Sequence, residues 1–157
     1  MDRRGFALTV LAAPMYAGPL VLLTPPEKSL LELLVEQIIP ADDAPGAREA
    51  GVVFYIDKQL NGPLARFAPD YRRGLPALAA ACKERTGKAF AELDFAQRTT
   101  FLETVEKREV PGLAAFFNML VDHTMQGFYG SPVHGGNLDE ASWKMLGIQH
   151  MMEGHGH

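Results

Sequence analysis

Apolar residues recur at helical spacing in several stretches of the chain, and glycine or proline separates one stretch from the next. The most regular stripe falls at i, i+3, i+4, i+7, i+8, i+11 and i+15, and it consists of Leu113, Phe116, Phe117, Leu120, Val121, Thr124 and Phe128. This spacing puts the whole stripe on one helix face. No run alternates with a period of two for long enough to predict a strand. We therefore predict an all-α fold, a compact array of five or six helices.

Short sequence signals predict where several helices begin and end. Thr24-Pro25-Pro26-Glu27 and Asp94-Phe95-Ala96-Gln97 both have the pattern of a capping box, in which the first and fourth residues satisfy each other's backbone N–H groups. Pro40 ends the helix that the first box opens. Residues 41–47 are predicted to form a loop, because Asp, Pro and Gly are frequent in turns.

The same spacing predicts two middle helices and a short last one. The stripe of one consists of Val52, Val53, Ile56 and Leu60, and its polar side carries Phe54, Asp57 and Lys58. Residues 70–86 form the next helix, where Cys82 lies on the apolar stripe and is predicted to be a small buried residue. The last helix is predicted over residues 139–146, with Asn137 or Asp139 as its cap.

The first residues differ from the rest of the chain. Arg3 and Arg4 precede Gly5-Phe6, and residues 7–23 carry no charge. A cationic start before an apolar run is typical of a secretory signal, and an Arg pair followed by Gly-Phe indicates the twin-arginine type, with Arg3, Arg4 and Phe6 as its signal residues. The alternative is an ordinary Sec signal. We assign residues 1–23 to this signal, 24–148 to a helical domain and 149–157 to a flexible Met/His tail. No clear Ala-x-Ala site precedes Thr24, which leaves open whether the signal is cleaved or retained as an anchor.

Composition excludes several classes of protein. The chain has 157 residues and a formal net charge of −4, whereas a nucleic-acid-binding protein needs a basic surface. Its single cysteine excludes an internal disulfide and a cysteine-rich zinc or iron–sulfur centre held by this chain alone. These observations predict one domain without nucleic acid as a partner.

Catalytic and cofactor motifs are absent from the sequence. No glycine-rich nucleotide loop and no nucleophile elbow occur. His123 and Asp122 are adjacent and therefore point about 100° apart on a helix, so His123 is predicted to be structural. The tail histidines at 150, 155 and 157 stand among Met and Gly, which suits either adventitious copper or nickel binding or simple flexibility. We predict no catalytic, cofactor-binding or metal-binding residue in this chain.

One segment is unusually rich in both aromatic residues and glycine. It runs from Phe128 to Asn137 and connects the most regular helix to Trp143. Its aromatic side chains would close the end of a helix bundle, or they would form an interface, since Tyr and Trp are frequent anchors of protein contacts. The sequence leaves both interpretations open.

Three groups of residues make the chain resemble the gluconate 2-dehydrogenase subunit 3 family, the small or gamma subunit. The first is the Arg3-Arg4 leader, and the second runs from Ile38 to Val53 and includes Asp42 and Gly46. The third, the most specific, consists of Phe128, Tyr129, Gly130, Pro132, Gly135, Gly136, Asn137 and Trp143. Ser131 and His134 depart from the pattern, because the family usually has Asp and Tyr at these two positions.

The resemblance implies an accessory role in a periplasmic complex at the bacterial inner membrane. In such complexes a large flavoprotein of the glucose–methanol–choline type carries FAD and oxidises a sugar, sugar acid or polyol, and a multi-haem cytochrome c subunit passes the electrons on. The small subunit binds the flavoprotein and supplies a signal for the twin-arginine translocase. The alternatives are a stand-alone exported metal-binding protein and a membrane-anchored structural helical protein.

Overall fold

The computed structural model describes residues 21–148, and this part of the chain is entirely helical, as predicted. Its six α-helices are α1 (Pro25–Ile38), α2 (Val52–Leu60), α3 (Ala68–Thr86), α4 (Phe95–Glu106), α5 (Ala114–Tyr129) and α6 (Ala141–Leu146). Short 3₁₀ turns lie at Ala65–Phe67, Phe90–Glu92, Pro132–His134 and Leu138–Glu140. The predicted signal residues Arg3, Arg4 and Phe6 and the Met/His tail lie outside the described residues.

The helix boundaries follow the predicted signals closely. Both capping boxes are present: the Thr24 hydroxyl accepts from the Glu27 N–H at 3.4 Å, and the Asp94 carboxylate accepts from the Gln97 N–H at 2.8 Å. Helix α3 begins at Ala68, slightly earlier than predicted, with Pro69 in its first turn. Proline is well tolerated there, because a backbone N–H in the first turn of a helix has no partner within the helix.

Helix α5 is the centre of the fold and packs against the other five helices. The predicted stripe faces the core: Leu113, Phe116, Phe117, Leu120, Thr124 and Phe128 are buried, and Val121 is half-buried at the edge. Cys82 is fully buried on α3, as expected of a small apolar residue, and burial raises the pKa of its thiol.

The polar side predicted for α2 is wrong at Asp57. This residue is only 3% exposed, and its carboxylate accepts hydrogen bonds from the backbone of residues 21–23. Phe54, which was placed on the same polar side, is half-buried, and the Lys28 ammonium lies 5.4 Å from its ring centre. Asp57 follows Val53 by four positions and precedes Leu60 by three, so it lies beside the apolar stripe and not opposite it.

The last helix begins at Ala141, two positions later than predicted. Asp139 and Glu140 both have φ near +55°, a left-handed conformation that cannot be part of a right-handed helix. The N-cap residue is Glu140 rather than Asn137 or Asp139, and its side chain makes no capping hydrogen bond. The Asn137 side chain instead reaches the first turn of the helix from four residues before it, where it accepts from the Ser142 N–H at 2.9 Å.

Candidate interaction surface

Asn137 connects the end of α5 to the start of α6. Its side chain is fully buried, its amide donates to the Gly130 carbonyl at 2.9 Å, and its carbonyl oxygen accepts from both the N–H and the hydroxyl of Ser142, each at 2.9 Å. The residue has φ of +49°, a conformation that Asn tolerates better than most residues. One buried amide therefore fixes the geometry of the whole connection.

Trp143 closes the same connection from the other side. Its indole N–H donates to the Tyr129 carbonyl at 3.1 Å, and its ring is half-buried. Phe128 is 1% exposed and meets the Tyr129 ring edge-on, with ring centres 4.8 Å apart. Phe128 therefore packs into the end of the helix bundle, as one of the two interpretations predicts, whereas Tyr129 is 42% exposed and points outward.

The glycines of this segment allow close backbone contacts. A Cβ on Gly136 would overlap the Gly127 carbonyl oxygen and lie 3.0 Å from the Tyr55 Cβ, so the segment lies tightly against α2 and α5. Pro132 opens the 3₁₀ turn that follows Gly130, and the carbonyl of Val133 in that turn accepts from the Lys58 ammonium at 3.3 Å. Gly135 ends the turn in a left-handed conformation, with φ of +99°.

The loop at residues 40–47 is folded as tightly. The Ala47 N–H returns to the Ile39 carbonyl at 2.9 Å, and a Cβ on Gly46 would lie 2.5 Å from that carbonyl oxygen and from the Ala41 nitrogen. Asp42 forms a local turn, in which its carboxylate accepts from the Ala44 N–H at 3.0 Å. The predicted loop is therefore tightly folded, and the space at Gly46 admits no side chain.

The structure joins two motif segments that are far apart in the sequence. The Leu138 N–H donates to the Ala50 carbonyl at 3.0 Å, and the Leu138 side chain packs over the Cα of Gly51. A surface groove of about 450 Å³ runs between the 40–47 loop and α6. We call the surface formed by residues 40–51 and 129–146 the motif face.

Several apolar side chains on the motif face are exposed. Tyr129, Val133, Met145 and Leu146 are 42%, 71%, 48% and 56% exposed. The polar side chains that border the groove include Asp43, Glu49 and Lys144. A tightly folded surface that exposes both aromatic and aliphatic side chains as well as charged groups has a composition found in protein interfaces.

Two titratable side chains meet inside the core. His123 is buried on α5 with its Nδ1 2.9 Å from the Tyr71 hydroxyl, and burial lowers its pKa. No cluster of three His, Cys, Asp or Glu side chains suited to a metal ion occurs within residues 21–148. These geometries fit the structural role that was predicted for His123.

Sequence reasoning missed two residues that organise the surface and its surroundings. Ser142, the double partner of Asn137, stands in no recognisable motif. Asp57 had a usable signal, since its spacing from Val53 and Leu60 placed it next to the apolar stripe. The helices of residues 21–148 are each too short or too polar to span a membrane.

Comparisons with known proteins place the chain in a family. No curated protein and no solved structure matches it. Residues 25–149 match the family described as gluconate 2-dehydrogenase subunit 3, and this match spans most of the chain, including the entire motif face. The chain therefore belongs to the gluconate 2-dehydrogenase subunit 3 family.

Proposed function

We propose that this chain is a non-catalytic subunit that binds the FAD-carrying dehydrogenase subunit through the motif face and carries the twin-arginine signal for its export. Membership of the family makes the chain a subunit of a gluconate 2-dehydrogenase type of complex, which is membrane-associated. The identity of the binding partner, the export route and the periplasmic location are the proposed part. The electrons would leave the flavoprotein through a cytochrome subunit that carries haem c.

One observation carries the proposal. Residues 40–51 and 129–146 are far apart in the chain, yet they meet in one rigid surface that is held by the buried Asn137 and by the Leu138–Ala50 hydrogen bond. Packing within the chain accounts for Phe128 and Asn137, but it does not account for Tyr129 and Val133, which remain exposed on that rigid support. Rigid aromatic and aliphatic groups bind a partner with little loss of conformational freedom.

The size of the surface suits a lasting contact. Stable interfaces bury roughly 1,600 Å² in total, or about 800 Å² on each partner. We therefore expect the motif face to bury an area of this order against its partner. A pair held in this way would stay together during export in the folded state, which is the property that a twin-arginine signal on one subunit requires.

Co-purification of the flavoprotein with a tagged form of this chain tests the proposal. We expect Val133→Glu to lower the recovered flavoprotein about tenfold or more, because it places a charge in the desolvated centre of the interface. Met125→Glu is the matched control: Met125 is 41% exposed near the end of α5, but it lies outside the motif face and lines the groove between α1 and α4. An equal loss of recovered flavoprotein with both variants, or no loss with Val133→Glu, contradicts binding through the motif face.

Trp143→Ala separates binding from catalysis. Loss of the indole removes the hydrogen bond to the Tyr129 carbonyl and loosens the support of the exposed ring. We expect a lower yield of complex and an unchanged turnover number, per FAD, in the complex that remains. A full yield of complex with altered turnover would indicate that this chain acts on the chemistry itself.

A further inference from the structure

A single buried carboxylate binds the segment that precedes α1. Asp57 Oδ2 accepts from the Val21 N–H at 2.6 Å, and Oδ1 accepts from the N–H groups of Leu22 and Leu23 at 2.9 and 2.8 Å. A carboxylate in a protein interior is costly unless hydrogen bonds replace its water, and hydrogen bonds to a charged acceptor are short and strong. Three consecutive backbone N–H groups satisfy that requirement here.

The segment is also held by contacts that do not involve Asp57. The Leu23 side chain is 5% exposed and belongs to the main core, and Leu22 packs against that core. The Arg72 guanidinium on α3 donates to the Leu22 carbonyl at 3.5 Å. Leu22 and Leu23 therefore lie between α2 and α3 as part of the folded body, ahead of the capping box that opens α1, whereas the Val21 side chain is 57% exposed and its N–H is held by Asp57.

We infer that Asp57 sets the limit of N-terminal processing: a protease that removes the leader cuts on the amino side of Val21, and residues 21–23 stay in the mature chain. Peptide hydrolysis adds water across the C–N bond and leaves a carboxylate on the leader and an amine on the mature chain. The protease needs the backbone of several residues around that bond to be free. The N–H groups of residues 21–23 become free only when the segment leaves Asp57, so cleavage there follows the population of the opened state.

The limit on processing in the cell rests on the proposed leader. The protection of residues 21–23 from cleavage in the purified chain is independent of that proposal. Limited digestion with thermolysin, which cuts on the amino side of Leu and Val, tests that protection on the full-length chain. Asp57→Asn keeps the shape of the side chain but turns one oxygen into an NH₂ group, which faces a backbone donor. Asp42→Asn is the matched control, because Asp42 also accepts from a backbone N–H but in an exposed loop.

We expect fragments that begin at Leu22 or Leu23, identified by mass, to form about tenfold faster or more from Asp57→Asn than from the unchanged chain or from Asp42→Asn. A tenfold increase corresponds to a loss of about 1.4 kcal/mol in the free energy of opening. Equal rates in all three proteins overturn the inference. Hydrogen exchange on the unchanged chain is the second measurement and does not depend on the folding of a variant. It should show Val21, Leu22 and Leu23 amides as slow as those of α1, and rapid exchange there overturns the inference too.

The N-terminal sequence of the exported chain gives the result in the cell. A chain that begins at or before Val21 agrees with the limit, and one that begins after it contradicts the limit. If no chain reaches the periplasm, the export proposal fails, while the thermolysin and exchange results still decide the role of Asp57.

Discussion

The Tyr71 hydroxyl lies 2.9 Å from His123 Nδ1, and the two rings are stacked with their centres 5.8 Å apart. This contact joins α3 to α5 inside the core, and Phe67 closes it with an edge-on contact to the imidazole at 5.1 Å. Burial raises the pKa of Tyr71 and lowers the pKa of His123, so both side chains are neutral in the folded protein near pH 7. The pair is a structural hydrogen bond between two aromatic residues.

The lowered pKa of His123 makes the stability depend on pH. Burial is the main cause, Arg66 acts in the same direction and Asp122 opposes them. The unfolded chain takes up a proton near the ordinary value of 6.5, while the folded chain resists it. The contribution of neutral His123 to the free energy of unfolding is therefore complete above pH 6.5. It is lost as the pH falls below that value, by at most about 1.4 kcal/mol per pH unit for one group.

Urea unfolding between pH 7.5 and 5.5 measures this effect. We expect the free energy of unfolding to fall with pH in the unchanged chain and in His134→Gln, which alters an exposed imidazole. His123→Gln should be less stable at pH 7.5 and should have a smaller slope in this range. The same slope in His123→Gln as in the unchanged chain would show that other groups cause it.

Local patterns in the sequence were enough to predict the helices. The apolar stripe from Leu113 to Phe128 and the two capping boxes depend on contacts within a few residues, and the structure confirms them. The motif face depends on contacts between distant residues, such as the hydrogen bond from Leu138 to Ala50, which no local pattern encodes. The left-handed conformations of Asp139 and Glu140 were missed because both residues are otherwise compatible with a helix.

Asn137 should be the residue on which the motif face depends most. Asn137→Ala removes three hydrogen bonds, two of them fully buried, and leaves a residue with a Cβ in a left-handed conformation. We expect a loss of about 3 kcal/mol in the free energy of unfolding. Asn137→Gly removes the same hydrogen bonds without the backbone strain and should lose less. Chemical denaturation measures both, and Asn118→Ala, an exposed asparagine on α5, should stay within about 0.5 kcal/mol of the unchanged chain.

Gly46 should tolerate no side chain. In Gly46→Ala the new Cβ would lie 2.5 Å from the Ile39 carbonyl oxygen and the Ala41 nitrogen, both of them backbone atoms that cannot move without opening the loop. We expect a loss of about 1–3 kcal/mol, as for other overpacked sites. In Gly62→Ala the Cβ would lie 3.6 Å from its nearest neighbour, an ordinary contact, so this control should be close to neutral. Equal thermal midpoints for the two variants would contradict the tight loop.

The leader prediction separates export from assembly. Replacing Arg3 and Arg4 with Lys keeps the charge, but it loses the planar guanidinium groups that distinguish a twin-arginine signal from an ordinary cationic start. The one signal is expected to export both subunits, so its replacement should trap both in the cytoplasm. We expect the flavoprotein and its dehydrogenase activity to shift from the periplasmic to the cytoplasmic fraction by about tenfold or more. Arg73→Lys, on an exposed arginine of α3 that lies outside the motif face and pairs with Asp70 at 3.1 Å, is the control and should leave export unchanged. The trapped flavoprotein should still co-purify with the Lys variant, because the motif face is intact. Normal periplasmic activity would therefore count against the signal, and loss of co-purification would count against the assignment of binding to the helical body.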